Sequence, residues 1–168
     1  MLLFTLARNR NCKGFSAKTM ILYALIFAAR YLDLFVRDQT TYLVVFKLTY
    51  IFTSILALFA FYAWYETYEI HKDTCHIVAI ILGCFVAAVI ISPTFSALEV
   101  FWSFSQFLEG FALVPQYIFC YRDPDSKDLA VKIFVMSIGL YRVFYALNWI
   151  YKKANVPQYN DIQSWIGG

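Results

Sequence analysis

Six ionisable residues, Arg30, Asp33, Lys47, Glu99, Glu109 and Arg142, sit inside stretches otherwise apolar enough to cross a bilayer. A charge inside a membrane is costly. It normally faces the interior of a bundle, paired or lining a polar cavity. Three of the six are basic and three acidic, so they can compensate one another. The pattern predicts a charge-balanced pocket inside a helical membrane protein, and that pocket is where function is expected.

The apolar stretches read as five full spans, at 19–36, 41–64, 75–92, 97–121 and 129–151. Each approaches the roughly 20 residues that a membrane-crossing helix needs. They are continuously apolar rather than alternating, which argues against a sheet. Residues are 61% hydrophobic and 15% charged, with mean hydropathy +0.61. A soluble domain is roughly half apolar and about a quarter charged. The expected fold class is therefore an all-α polytopic membrane protein, one transmembrane bundle over residues 1–168. Segment 1–7 is apolar but too short to span, and 161–168 resembles the start of a further helix; both are expected to be partial or interfacial. A cleavable signal peptide fits poorly, because no basic region precedes the first apolar run.

Orientation follows from the basic residues between spans. Arg8, Arg10, Lys13, Lys18, Lys72, Arg122, Lys127 and Lys132 fall on one side, which is expected to be cytosolic; Arg37, Lys152 and Lys153 fall on the other. Net charge is only +3, without the basic tract of a nucleic-acid binder. The four cysteines have no metal spacing and read as apolar fillers or free thiols. His71 and His76 match no metal motif. With no nucleophile elbow, Walker loop or dinucleotide fingerprint, no catalytic residue, cofactor or metal is expected, and the chain reads as a non-enzyme.

Binding chemistry is better represented. Arg30 and Asp33 are three apart and share a helix face, where they could pair. Glu99, Trp102, Gln106 and Glu109 form a polar stripe in the fourth span. Their carboxylates need Arg30, Lys47 or Arg142 as partners. Glu109, deeper in the span, reads as a structural counter-ion, and Glu99, beside Trp102, as a pocket residue. In the last span Tyr141, Tyr145 and Asn148 share one stripe, and Arg142 and Trp149 an adjacent one. Arginine offers a planar fork that suits carboxylates, and tryptophan an apolar or cation-binding face. Pro115 is expected to kink its helix.

The segments GFSAKTMILYALIFAARYLDLF, ALEVFWSFSQFLEGFALVPQYIF and GLYRVFYALNWIYKK closely resemble the KDEL receptor family, the ER lumen protein-retaining receptors. The resemblance runs from about Arg10 to Trp149. It implies a fold like that of the SWEET and PQ-loop transporters, with two three-helix units joined by a linker helix, a pattern that Pro115-Gln116 fits. It implies a receptor of the endoplasmic reticulum and Golgi membranes. Such a receptor binds the C-terminal KDEL-like tetrapeptides of escaped lumenal proteins and returns them in coated vesicles. By matching motif, Arg30 and Tyr31 would engage the ligand carboxylate. Asp33, Glu99 and Trp102 would line the pocket, and Arg142, Tyr145, Trp149 and Lys152 would complete it. Lys152 stands where the family usually has arginine, and Asp161 where the family has an aspartate. Tyr141 and Asn148 join the candidate ligand-binding set from their helix stripe, and Lys47 and Glu109 serve as structural charge partners. Against the family pattern the first and last helices read as incomplete, which leaves out a family arginine, a pH-linked histidine and a lysine-bearing tail. Two other functions fit parts of the pattern: a small-solute transporter of the same architecture, and a non-binding scaffold or decoy for a full-length receptor.

Overall fold

The computed structural model of the chain describes residues 2–36, 38–92, 95–122 and 129–156. Among these, every regular element is helical: α1 (Leu2–Asn9), α2 (Ala17–Arg30), α3 (Thr41–Ala63), α4 (Ile77–Ile91), α5 (Ala97–Phe111), α6 (Val114–Arg122) and α7 (Leu129–Asn155), with short 3-10 turns at Tyr31–Phe35 and Tyr65–Thr67. Two helices are long and apolar enough to cross a bilayer, α3 and α7, with mean hydropathy 2.1 and 1.6 over their best windows. Helix α4 is apolar but shorter.

Three boundaries differ from the sequence reading. The α-helix expected over 19–36 ends at Arg30 and tightens into 3-10 geometry at Tyr31–Phe35. The polar side chains of Arg30 and Asp33 reach different neighbouring helices there, and the backbone changes pitch between them. The 97–121 span is interrupted at Ala112–Leu113. Helix α5 stops at Phe111 and α6 resumes at Val114. Pro115 has no N–H to donate back to Phe111, and the chain closes instead with a tighter bond from Ala112 N–H to Glu109 O, 3.4 Å. Helix α7 runs on to Asn155, so Lys152 is helical and not in a connection.

The helices pack in a row. Helix α5 lies between α4 and α2; α2 also packs on α3, and α3 on α1, which is the principal backbone neighbour of α7. One core joins Leu22, Ile26 and Ala29 of α2, Cys84 and Ala88 of α4, and Phe104, Phe107 and Leu108 of α5. Alanine and cysteine at the crossing points let the backbones approach closely, so packing rather than water exclusion drives the association. The outward faces are apolar: Phe52 and Phe59 on α3 are 61% and 62% exposed. Lipid solvates such a face; water does not. The four cysteines are free thiols.

A buried polar hub fastens one end of the row. Ser16 caps α2, its Oγ accepting the Thr19 N–H at 3.2 Å. The same hydroxyl donates to Asp73 Oδ2 at 2.8 Å. That oxygen also accepts the Lys18 N–H at 3.2 Å and the Tyr68 hydroxyl at 2.6 Å. Gln116, on α6, accepts the Ser16 N–H at 2.9 Å and donates to Gly14 O at 2.8 Å. Gly14 has φ 79°, a conformation that favours glycine. Four donors and one acceptor on two chain segments are thus satisfied by two buried side chains. Around the hub, Leu6, Cys12, Phe15, Met20, Ala60, Phe61 and Val131 form a second core.

Burial, and then the hydrogen bond to the Asp73 carboxylate, push the Tyr68 phenol above its ordinary value of 10.0. The folded state therefore keeps the proton longer than the unfolded chain does. Stability from this group is intact below about pH 10 and declines as pH rises beyond it. Thermal unfolding in detergent from neutral pH to about pH 11 should show Tm falling at the alkaline end. In Tyr68→Phe the alkaline fall should be shallower, from a lower neutral-pH Tm.

Candidate functional site

Arg30 ends α2 with its side chain only 15% exposed. Its Nη2 donates to Glu109 Oε2 on α5. Its Nε donates to Ser105 Oγ at 3.1 Å. Ser105 and Glu109 are one turn apart on α5, so the two acceptors meet the guanidinium from the same helix face. Ser105 in turn donates to Trp102 O at 2.6 Å, which fixes its hydroxyl rotor. Nη1 has no protein partner among the described residues. Arginine therefore holds a counter-ion and still has donors to offer.

Asp33 lies three residues on, but the two do not pair with each other. Asp33 Oδ2 accepts Lys47 Nζ from α3 at 2.6 Å and Gln39 Nε2 at 3.0 Å. Lys47 Nζ also lies 5.6 Å from the centre of the Tyr31 ring. The other Asp33 oxygen is buried without a hydrogen bond.

Two cavities meet at Arg30. The larger, about 730 Å³, lies among α2, α3, α5 and α7 and is lined by Arg30, Tyr31, Glu109, Tyr141 and Tyr145, with Tyr23 and Tyr50 among its other walls. The smaller, about 390 Å³, is lined by Ala29, Arg30, Asp33, Leu98, Glu99 and Trp102. The first is large, aromatic and mostly neutral. The second carries Arg30, two carboxylates and an indole, so both signs of charge line it.

Of the residues singled out from sequence, Arg30, Tyr31, Asp33, Glu99, Trp102, Tyr141 and Tyr145 line one or both cavities, together with the structural partner Glu109. Lys47 stands behind them on Asp33. Trp149 is buried, its ring 5.8 Å from Tyr145, which lies 4.7 Å from Tyr141. Arg142 is half-buried on α7, and Asn148 and Lys152 are exposed; none of these three borders either cavity. Asp161 lies outside the described residues. Two contributors were not anticipated. Ser105 had a readable signal, since it precedes Glu109 by four and shares its face. Gln39 had none, because a connecting residue's reach back to the preceding helix end cannot be read from periodicity.

An apolar exterior and ion-paired helices define a membrane protein that is helical throughout its described elements, with two cavities meeting at a partly buried arginine. Residues 11–152 match the family described as ER lumen protein retaining receptor. The protein is similar to the ER lumen protein-retaining receptors of Entamoeba histolytica (32% identical over 168 residues, covering 99% of this chain and 78% of the relative) and of Dictyostelium discoideum (37% over 161 residues, 90% and 72%). The corresponding receptor of Drosophila melanogaster is 30% identical over 168 residues, covering 99% of this chain and 79% of the relative. The chain belongs to the ER lumen protein-retaining receptor family, a family of receptors and not of enzymes.

Removing the counter-ion should be costly. Glu109→Ala leaves a nearly buried guanidinium uncompensated and should lower stability by about 3–5 kcal/mol. Glu109→Gln keeps an acceptor and should cost less. Denaturant unfolding of both variants in the same detergent checks the order.

Proposed function

We propose that this chain is a receptor for C-terminal KDEL-like retention signals of lumenal proteins that have escaped the endoplasmic reticulum. It returns them from the Golgi in vesicles, with coat machinery as its cytosolic partner. It works as a multi-pass protein of both membranes, embedded in the lipid bilayer. Residues 1–168 form a single bundle with spans near 19–36, 41–64, 75–92, 97–121 and 129–151. Two three-helix units are joined by α4 as the linker, in the manner of the SWEET and PQ-loop folds.

The observation that carries this reading is Arg30, neutralised on one side by Glu109 and open on the other, at the junction of two cavities. A retention signal has a free carboxylate at one end and a basic residue at the other. Arg30 and Tyr31 take the carboxylate; Asp33, Glu99 and Trp102 take the basic end. Tyr141, Tyr145 and Trp149 form the aromatic wall opposite, and Arg142, Asn148, Lys152 and Asp161 are the proposed contacts of a ligand that extends beyond the two cavities. Glu109 and Lys47 stay structural.

A fluorescent Lys-Asp-Glu-Leu peptide should bind the purified protein, and amidating its C-terminus should weaken binding at least about tenfold. Arg30→Ala should abolish the difference between free and amidated peptide. Equal binding of the two peptides to the unaltered protein would contradict the proposal.

A further inference from the structure

We infer that Lys47 is a positioning residue: it holds Asp33 away from Arg30 and so keeps two opposite charges on one helix end available to two ends of a ligand. This rests on the receptor reading above. Arg30 is the last α-helical residue of α2 and Asp33 lies in the 3-10 turn that follows. In 3-10 geometry side chains three apart are eclipsed, one above the other. An arginine and an aspartate so placed, in a region of low dielectric, have a strong tendency to neutralise each other. A ligand carboxylate would then have to compete with Asp33 for the guanidinium.

The structure diverts each charge to a different helix. Glu109 and Ser105 of α5 draw Arg30 one way. Lys47 of α3 draws Asp33 the other, at 2.6 Å. Gln39 adds a second grip, its Nε2 lying 3.0 Å from Asp33 Oδ2 and 3.3 Å from Asp33 O. Lys47 is itself steadied over the Tyr31 ring, between Arg30 and Asp33 in sequence. Lys47 lines neither cavity, so its effect on a ligand passes through Asp33. The helical neighbours Phe46 and Leu48 are exposed apolar residues, and the cation's one ion-pair partner among the described residues is Asp33.

Lys47→Met keeps the length and apolar stem of the side chain and removes the charge. It should weaken binding of the free-carboxylate peptide at least about tenfold. Measured with N-acetyl-Ala-Asp-Glu-Leu, which offers no basic group for Asp33 to meet, adding Asp33→Asn to Lys47→Met should recover most of that loss, because Asp33 can no longer join Glu109 in neutralising Arg30. A residue that contacts ligand, or one that only supports the fold, predicts further weakening from the second substitution. Lys47→Met binding as tightly as the unaltered protein, or a double variant no better than Lys47→Met, would overturn the inference.

A second measurement needs no ligand. The Tm shifts of Arg30→Gln and Asp33→Asn should add in the native background and become non-additive in the Lys47→Met background. Coupling already present in the native background, or absent in the Lys47→Met background, would also overturn it. If the unaltered protein binds no peptide, the receptor reading fails, and the Tm cycle still decides the role of Lys47.

Discussion

The ion pair between Arg30 and Glu109 is the constraint on which the interior depends. Neither group can be placed inside a bilayer alone, because the desolvation cost of each is several kcal/mol and only a partner in close geometry offsets it. Once they pair, α2 and α5 are fixed at one contact. That contact lies beside the core of Leu22, Ile26, Phe104 and Leu108, so packing and electrostatics select the same arrangement. The pair uses one face of the guanidinium. What remains is a cation that is stable in place and unsaturated in hydrogen bonding, the condition under which arginine recognises a carboxylate.

The opposite end of the row is fastened without ion pairs at its centre. Asp73 and Gln116 gather backbone and side-chain donors from the 14–18 segment, and Tyr68 closes the group. Neutral donors around one buried carboxylate give directional bonds, and they tie α2, α6 and the 65–75 connection together at a single point. Helix α7, packed chiefly on α1, contributes an aromatic ladder rather than a charge network to the larger cavity.

Much of this was legible in the residues. Continuous apolar runs identified the helices, and charges within them identified Arg30, Asp33, Glu99 and Glu109 as interior groups. Glu109, read from its depth in the span as a counter-ion, is bonded to Arg30. Pairing was harder to read. Spacing along one helix suggested Arg30 with Asp33, whereas each found a partner on another helix. Contacts between helices depend on which faces meet, and periodicity gives the face without the neighbour. The break at Ala112–Leu113 was visible only as a proline, and the Asp73 hub gave no signal, since a loop aspartate ordinarily reads as solvated.

The account stands on Arg30 being the cation that meets a ligand carboxylate. Nitrogen NMR of the arginine side chains, with Arg30 assigned by its loss in an Arg30→Lys variant, observes that atom group directly. The Arg30 guanidinium resonances should shift when a Lys-Asp-Glu-Leu peptide is added and stay in place with the C-terminally amidated peptide. Shifts confined to Arg142, or an Arg30 signal that responds equally to both peptides, would contradict the account.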